Sequence, residues 1–317
     1  MNLTSKTLIF AIAAIAIAIA AAGAVLIGPP PESGVSEQPE EATPSGSETI
    51  VVQDPVHERP IDVSVWAPAE NDRNELVVIS HGFGGDRTSH SDIAEGLATE
   101  GYTVAAPTHP DLAGLEAGDP YLDPLTLRPR HLSLTIDELV EQNGGPFQQT
   151  SVVGHSLGGY SALRLAGAQP DLDGSLDEYC AETTDELLCN ARSQARFATV
   201  ANNDDDLSDP RVSHLVLLAP GYGPLLGESL EIAADVMIVA AARDDEVSRD
   251  QVRQLADQTH ALTQTIDGGH FVFLRPCTEV EATAVPDVCE DAVGIDRATI
   301  HADLLAEIVA YLDTSGA

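Results

Sequence analysis

Basic residues are scarce in this sequence of 317 residues. Fifteen lysines and arginines stand against 51 aspartates and glutamates, which gives a formal net charge of −36, and Lys6 is the only lysine. A surface of this sign repels the phosphates of nucleic acids, so the composition excludes a nucleic-acid partner. We interpret the acidic excess as an adaptation for solubility, with attraction of a cationic partner as the alternative.

Cysteine is also rare, and no two cysteines have the spacing of a metal site. The four are Cys180, Cys189, Cys277 and Cys289. Without a CxxC motif or a nearby pair of histidines, zinc binding has no support and no metal is predicted. Four cysteines allow three pairings. The simplest one joins Cys180 to Cys189 and Cys277 to Cys289, and we expect these disulfides in an exported chain.

Charge is absent from residues 8–27, an apolar run that follows Lys6. Its length suits a membrane span, whereas the small residues at 20–24 suit a cleaved export signal, so anchor and signal both remain open. No paired arginine precedes the run and no cysteine lies near its end, which favours the general secretion route without lipid attachment. We therefore predict that residues 1–28 are an export signal or a membrane anchor and that the domain lies outside the cytoplasm.

The rest of the chain divides into a linker and one domain. Residues 29–49 are rich in Pro, Ser, Gly and Glu and too poor in apolar side chains to fold, so we predict a flexible linker. We predict one domain over 50–317, with an insertion at about 169–211 that could lie over the site as a partial lid. The acidic run 202–209 within it is interpreted as a solvated loop, with a calcium site as the alternative.

Short apolar runs alternate with helix-like segments along the domain. Runs that suit strands buried on both faces lie at 76–80, 102–106, 150–154, 214–220 and 236–242. Helix-like segments lie at 89–100, 132–142, 156–168, 248–259 and 298–312. Residues 61–68 alternate apolar and polar side chains, as in an antiparallel edge hairpin. This order predicts an α/β fold in which helices flank a mostly parallel central sheet.

One strand–turn–helix junction interrupts core-forming sequence with a serine and several glycines. Residues 154–158 read GHSLG and match G-x-S-x-G between a strand and a helix. A Cβ at Gly154 or Gly158 would collide with the neighbouring strand and helix, and the sharp turn would expose the Ser156 hydroxyl at the carboxyl end of the sheet. The helix N-terminus behind it favours developing negative charge. The pattern therefore predicts that Ser156 is a nucleophile.

A serine nucleophile needs a base, an orienting acid and donors for an oxyanion. The loop SHGFGGD at 80–86 follows a strand, and the N–H groups of Phe83 and Leu157 are predicted to form the oxyanion hole. His81 in the same loop is interpreted as structural. The base is expected late in the chain, where the two glycines of IDGGHFVF allow His270 to point back at the serine.

The other histidines fit the role of the base less well. His155 lies beside the nucleophile but is expected to face away from it, and His301 is expected on the exposed side of the last helix. The acid should follow the strand 236–242, where Asp244 and Asp245 are both candidates. Successive side chains at a strand end point in different directions, so the two are not interchangeable. Asp244 is preferred because it is nearer to the rigid strand.

The order Ser156, Asp244, His270, with HGFGG upstream, resembles the α/β-hydrolase fold over residues 50–315. The chain is similar to the bacterial dienelactone-hydrolase-like group, which is close to platelet-activating-factor acetylhydrolases and to some polyester hydrolases. The matching pieces are VSVWAPA, SHGFGG, GHSLGGYSAL, GGHFVFLRPC and the cysteine pair in the insertion. The resemblance implies a serine carboxylic-ester hydrolase without cofactor, acting on small-molecule or polymeric esters. It also favours Asp244, because related hydrolases commonly have an apolar residue three positions later, here Val247.

Two departures from this group bear on the substrate. Dienelactone hydrolase itself uses a cysteine where this chain has Ser156. Polyester hydrolases place a tryptophan beside the site, whereas the only tryptophan of this chain, Trp66, lies on an early strand. A polyester or phospholipid acyl hydrolase is the alternative function, followed by a peptidase or a non-catalytic binding module of this fold. Phe83 suggests an aromatic wall, so we expect esters of short to medium apolar acids.

Overall fold

An eight-stranded β-sheet organises the part of the chain that the structure, a computed structural model, describes. The described residues are 46–56, 59–71, 73–109, 123–170, 179–181, 206–226 and 230–314. The strands are β1 (Glu48–Asp54), β2 (Arg59–Trp66), β3 (Glu75–Ser80), β4 (Thr103–Pro107), β5 (Gln149–His155), β6 (Val212–Leu218), β7 (Asp235–Ala241) and β8 (Leu262–Ile266). They lie side by side in the order β1-β2-β4-β3-β5-β6-β7-β8.

The sheet is parallel except at one edge. Strand β2 pairs antiparallel with both β1 and β4, and every pair from β4 to β8 is parallel. The predicted α/β fold with a mostly parallel sheet is confirmed. Residues 61–68 do enter an antiparallel hairpin, but its other strand begins at Glu48, within the predicted linker 29–49. That strand escaped prediction because it is an edge strand with most of its side chains exposed or half-buried.

Apolar side chains fill both faces of the central parallel strands, which explains their continuous Val and Ile runs. Neighbouring residues point to opposite faces, so Val78 and Val152 belong to one apolar core while Val77 and Val153 belong to the other. All four are fully buried or nearly so. The two cores hold the central strands rigidly, and their carboxyl ends are therefore fixed points for the loops that follow.

Helices cover the sheet on both sides. They are α1 (Ser91–Thr99), α2 (Asp123–Gln142), α3 (Leu157–Leu165), α4 (Arg249–Thr259), α5 (Glu279–Ala284), α6 (Pro286–Cys289) and α7 (Arg297–Thr314). Helices α2, α3 and α4 bury their apolar faces in one core, and α1 and α7 in the other. Helix α2 begins well before the predicted start at residue 132. The prediction starts too late because Pro129 lies inside the helix, and a proline normally indicates a helix boundary.

Several predicted segments fall outside the described residues. These are the export segment 1–28, nearly all of the linker and most of the insertion 169–211. Over the described ranges, no helix has both the length and the apolar character that crossing a bilayer needs. In the same ranges no cluster of three or more His, Cys, Asp or Glu has the arrangement of a metal site.

The acidic run 202–209 is described only at its end. Asp209 is buried and accepts hydrogen bonds from Ser133 Oγ at 2.8 Å and from Arg211 Nε at 2.8 Å. Its backbone N–H donates to the carbonyl of Leu165, at the end of α3, at 2.8 Å. This aspartate therefore fixes the end of the insertion to α2 and α3 by bonds to protein groups.

Candidate active site

Ser156 lies at the turn between β5 and α3 in a backbone conformation that is rare for a residue with a side chain. Its φ is 52° and its ψ is −117°. Such a conformation costs about 1–3 kcal/mol and persists only where the surroundings hold it. Here the Ser156 N–H donates to Leu218 O at 3.0 Å, and its carbonyl accepts from the N–H groups of Gly159 at 2.9 Å and Gly221 at 3.1 Å. The sheet and helix together hold the serine in this turn.

Gly154 and Gly158 are the positions where this turn excludes any side chain. A Cβ on Gly158 would overlap the carbonyl oxygen of Ser80 at the end of β3 and would lie 2.9 Å from His81 O. A Cβ on Gly154 would lie 2.6 Å from the carbonyl carbon of Gly158 and 2.8 Å from Gly159 N. These collisions are the ones that the GHSLG motif predicts. Only glycine lets α3 begin so close to β3.

Asp244 and His270, which follow β7 and β8, are hydrogen-bonded to each other. The distance from His270 Nδ1 to Asp244 Oδ2 is 2.9 Å, and the two side chains are 5% and 4% exposed. The other carboxylate oxygen accepts from the N–H groups of Glu246 at 2.9 Å and Val247 at 2.8 Å, which fixes its orientation. An ionised carboxylate only accepts, so the proton of this hydrogen bond belongs to His270 Nδ1. Asp245 is exposed and is not the partner of His270.

The loops after three other strands converge on the Ser156 turn. A methyl group placed on Gly82, after β3, would lie 3.4 Å from Ser156 Cβ. One placed on Gly221, after β6, would lie 3.6 Å from Ser156 Oγ and 3.8 Å from Val247 Cγ2, on the loop after β7. The backbone N–H of Val247 also donates to Asp244, so Val247 and Asp244 belong to one loop. This loop and the Ser156 turn therefore lie on either side of Gly221. This is the carboxyl edge of the sheet, where parallel α/β folds build their sites.

Of the two predicted oxyanion donors, Leu157 directly follows Ser156, and Phe83 directly follows Gly82, the glycine that approaches the Ser156 side chain. A hydrogen bond of 3.2 Å from Gly85 N–H to Gly82 O closes a turn that has Phe83 at its first corner. Gly84, at the second corner, has a φ of 73°, a conformation that glycine tolerates. Leu157 is the first residue of α3, and the first N–H groups of a helix have no acceptor within it.

His81 is buried and holds the loop that contains Phe83. Its Nδ1–H donates to Gly82 O at 2.6 Å, and its Nε2 accepts the backbone N–H of His109 at 2.9 Å. Burial, reinforced by the nearby charge of Arg128, lowers the pKa of His81 to about 3. The ring is therefore neutral at physiological pH, and both nitrogens are occupied by backbone groups. This arrangement agrees with the structural role expected for His81.

Three buried histidines hold the turn that begins with His270, and we call them the histidine clamp. They donate to carbonyl oxygens of that turn, His155 Nε2–H to His270 at 3.1 Å, His90 Nδ1–H to Phe273 at 2.9 Å and His301 Nε2–H to Val272 at 2.7 Å. Burial lowers the pKa of His90 to about 4 and that of His155 well below its usual range. The carbonyls of the His270 turn are thus fixed by imidazoles that belong to three different elements.

The clamp corrects one prediction about the histidines. The ring of His155 is buried and packs against the ring of His270, with 4.9 Å between the two centroids. The expectation that His301 is exposed is wrong, since its side chain is buried and also bonds to the Asp92 carboxylate. Helical periodicity identifies the apolar face of α7, but it cannot reveal a polar side chain that is buried by partners distant in sequence.

A disulfide joins Cys277 to Cys289 and closes a short loop directly after the His270 turn. The loop contains α5 and α6, and its side chains are exposed or half-buried, so little apolar packing holds it. Cys180 is also disulfide-bonded, and no described cysteine is free. The predicted partner of Cys180, Cys189, lies outside the described residues.

Replacing Cys277 and Cys289 together by serine should lower the free energy of unfolding by about 2–4 kcal/mol, because the open loop gains entropy in the unfolded chain. Urea unfolding of the oxidised wild type and of the double variant measures this difference. Paired substitution is preferable to a reducing agent, which would also open the disulfide at Cys180. Equal unfolding midpoints would contradict the prediction.

The sequence matches curated cutinases over part of its length. It is 28% identical over 117 residues to "Cutinase 1" of Thermobifida cellulosilytica, a match that covers 36% of this chain and 42% of that protein. It is also 28% identical over 119 residues to "Cutinase est1" of Thermobifida alba, covering 36% of this chain and 37% of that protein. The chain thus spans about two fifths of the length of these curated relatives.

Solved structures share the fold more widely. A thermophilic esterase of Thermogutta terrifontis with propionate bound superposes with a TM-score of 0.51, covering 83% of this chain and 95% of that chain at 15% identity. At this identity the likeness concerns the fold alone. The sequence profile described as "Alpha/beta hydrolase family" matches residues 76–283, which include nearly all of β3, the Ser156 turn and His270. Because this match extends over more than half of its residues, the chain belongs to the alpha/beta hydrolase family.

Proposed function

We propose that this protein hydrolyses carboxylic esters with Ser156 as nucleophile, His270 as base and Asp244 as orienting acid. The observation that carries the proposal is the 2.9 Å bond between Asp244 and His270 on loops that flank the strained Ser156 turn. A buried carboxylate–imidazole pair beside a serine with imposed backbone geometry has the arrangement of an activated nucleophile. A binding module of the same fold would need none of these three features.

The acylation step follows from the tautomer of His270. Its Nε2 accepts the proton of Ser156 Oγ while the oxygen attacks the ester carbonyl carbon. The carbonyl oxygen becomes an oxyanion, which the N–H groups of Phe83 and Leu157 would stabilise, helped by the N-terminus of α3. Asp244 stabilises the imidazolium that forms. The tetrahedral intermediate collapses when His270 returns the proton to the leaving alcohol, which leaves the acyl group on Ser156.

Deacylation repeats the same proton transfers with water. His270 Nε2 takes a proton from a water molecule, whose oxygen attacks the acyl carbon and regenerates the oxyanion. The imidazolium then protonates Ser156 Oγ, and the carboxylic acid leaves. No step calls for a group other than the five residues named and water.

Aromatic side chains near the serine favour apolar acyl groups. Phe83 is half-buried in its loop, and Tyr222, directly after Gly221, packs at 5.9 Å between ring centroids against Tyr179 of the insertion. The net charge of −36 opposes polyanionic substrates. Esters of short to medium apolar acids are therefore the proposed substrates. The partial matches to cutinases support polymeric esters as a second candidate, although Trp66 is buried in the sheet core and offers no indole to a polymer.

An extracytoplasmic location is part of the proposal. The disulfide between Cys277 and Cys289 persists in oxidising compartments, and the apolar run 8–27 provides a route of export. The acidic surface suits a protein that works in bulk solvent.

A fluorophosphonate probe is expected to label wild-type protein at Ser156, because phosphonylation requires an activated serine and not merely an exposed one. The adduct is located by peptide mass mapping. The Ser156→Ala variant should take up no label, and Ser161→Ala, which alters a buried serine one turn further along α3, should be labelled as wild type. Lack of label on folded wild type would contradict the mechanism. Rates on p-nitrophenyl esters of increasing chain length, and on a matched anilide, then separate an esterase from a peptidase.

A further inference from the structure

A buried arginine lies behind the loop that contains Phe83. Arg128 belongs to α2, and only 1% of its surface is exposed. Its guanidinium donates from Nη1 to His81 O at 2.5 Å and from Nη2 to Gly82 O at 3.1 Å. Both acceptors are backbone carbonyls of the loop after β3. The guanidinium thus bonds to the backbone of the loop that contains Phe83, and this loop connects Arg128 to the Ser156 turn.

One of these carbonyls belongs to the peptide group that carries the proposed oxyanion donor. The oxygen of Gly82 and the N–H of Phe83 are opposite ends of a single amide. That oxygen also accepts from His81 Nδ1–H at 2.6 Å and from Gly85 N–H at 3.2 Å. Donation to an amide oxygen polarises the amide and strengthens its N–H as a donor. A charged donor polarises it more than a neutral one.

We propose that Arg128 is a positioning residue for the oxyanion hole. Its guanidinium holds the carbonyl end of the Gly82–Phe83 peptide, so that the N–H of Phe83 points towards Ser156 and carries more positive charge. The inference rests on the proposed ester hydrolysis and deepens it. His81 already supplies a neutral hydrogen bond to the same oxygen, so the particular contribution of Arg128 is its charge.

The expected kinetic effect is on turnover rather than on substrate binding. A positive charge in a poorly solvated site interacts with the oxyanion more strongly than it would in water. The oxyanion exists in the transition state and not in the bound ester, so an interaction with it raises kcat and leaves KM nearly unchanged. If Arg128 only stabilised the loop, substitutions that keep its charge and substitutions that remove it would not differ in kcat at a constant KM.

The test compares Arg128→Lys with Arg128→Gln. Each variant keeps one donor towards the loop, but only lysine keeps the charge. With p-nitrophenyl butyrate, Arg128→Gln should lose about 10–100-fold in kcat with KM within about twofold, as removal of part of an oxyanion hole does. Arg128→Lys should retain within about tenfold of wild-type kcat. His81→Gln, which weakens the neutral donor to Gly82 and keeps the cation, should lose less than Arg128→Gln.

A spectroscopic measurement reports the charge directly. An aryl trifluoromethyl ketone labelled with ¹³C at its carbonyl adds to Ser156 as a hemiketal, and the ¹³C shift follows ionisation of the hemiketal oxygen. The pKa of that oxygen should rise by about one to two units in Arg128→Gln, matching the loss in kcat, and by less in Arg128→Lys. Equal kcat and equal hemiketal pKa in the two variants would overturn the inference while leaving the esterase proposal intact.

If the Arg128→Gln variant does not fold, ionisation of the hemiketal oxygen in wild-type protein tests the inference. A cation behind the peptide should keep the hemiketal oxygen ionised at a pH well below the pKa of the same ketone's hydrate in water. A hemiketal that ionises no more readily than this hydrate would overturn the role of Arg128. Wild-type protein that neither hydrolyses esters nor forms the adduct would instead overturn the proposed function, and with it this inference.

Discussion

Asparagine at Asp244 is expected to lower turnover about 10⁴-fold, whereas asparagine at Asp245 should lower it less than about tenfold. Asp244 accepts the Nδ1 proton of His270, and an amide in its place can donate to that nitrogen instead. His270 would then carry its proton on Nε2 and could not accept the proton of Ser156. Asp245 is exposed and leaves the tautomer of His270 unchanged.

Steady-state rates on p-nitrophenyl butyrate, with each variant's fold checked by circular dichroism, measure the two losses. The Asp245→Asn variant is the matched control, since it makes the same chemical change one residue away. The Asp244→Asn variant should keep a KM close to that of wild type, because Asp244 is buried behind His270 and does not face the substrate. Reversed losses at the two positions would move the acid to Asp245 and leave the rest of the mechanism in place.

Acidification from pH 7 to pH 4.5 is expected to remove most of the stability of this protein. The pKa values of His81 and His90 are lowered to about 3 and about 4, chiefly by burial, and those of His109 and His155 lie well below their usual range. In the unfolded chain each would bind a proton near pH 6.5. Their neutral burial therefore contributes fully above pH 6.5, and the contribution falls as the pH drops towards the folded values.

The size of this effect follows from the number of groups involved. Each such histidine removes up to about 1.4 kcal/mol per pH unit from the free energy of unfolding between pH 6.5 and its folded pKa. His81 and His90, whose folded pKa values are about 3 and about 4, together amount to a loss on the order of 5 kcal/mol by pH 4.5, a large part of the stability of a typical domain. Protonation of surface carboxylates relieves their mutual repulsion and offsets part of this loss.

Urea unfolding at pH 7.5, 6.5, 5.5 and 4.5 gives the slope of stability against pH. His90→Asn should make the slope shallower, since it removes one buried imidazole while an amide can still donate to Phe273 O. The control is His260→Asn at an exposed helix end, where φ is 53° and asparagine is well tolerated. It should leave the slope unchanged. Stability that does not fall between pH 6.5 and 4.5 would argue against neutral burial of these histidines.

The sequence was sufficient to predict the fold class and to place Asp244 and His270 on loops that meet. Gly154 and Gly158 lack the side chains that would prevent α3 from starting close to β3. A glycine turn of this kind after a buried strand determines where Ser156 lies. The pairing of Asp244 with His270 follows from the order of the strands, because the loops after neighbouring parallel strands meet at one edge. Such inferences succeed where short-range chemistry and chain order determine geometry.

The parts that escaped prediction depend on partners distant in sequence. Arg128 precedes a proline in a stretch that resembles a loop, and nothing local indicates that its charge is buried against the carbonyls of His81 and Gly82. Helical periodicity predicts that His301 lies on the surface, although its ring is held by Val272 O and Asp92. Hydrogen bonds to backbone carbonyls leave no trace in composition or spacing, because every residue has the same acceptor.

The hydrogen bond between Asp209 and Leu165 also bears on how this protein could diversify. It brings the chain back, after some forty residues, to the point where α3 ends, and a Cβ on Gly167 would lie 3.9 Å from Ser208 Cβ. A segment whose two ends already touch can be lengthened, shortened or replaced at small cost, since each doubling of a loop costs only about 0.6 kcal/mol in closure entropy. Recombination could therefore exchange this segment as a cassette and create new substrate preferences while the inherited sheet and its serine turn remained untouched.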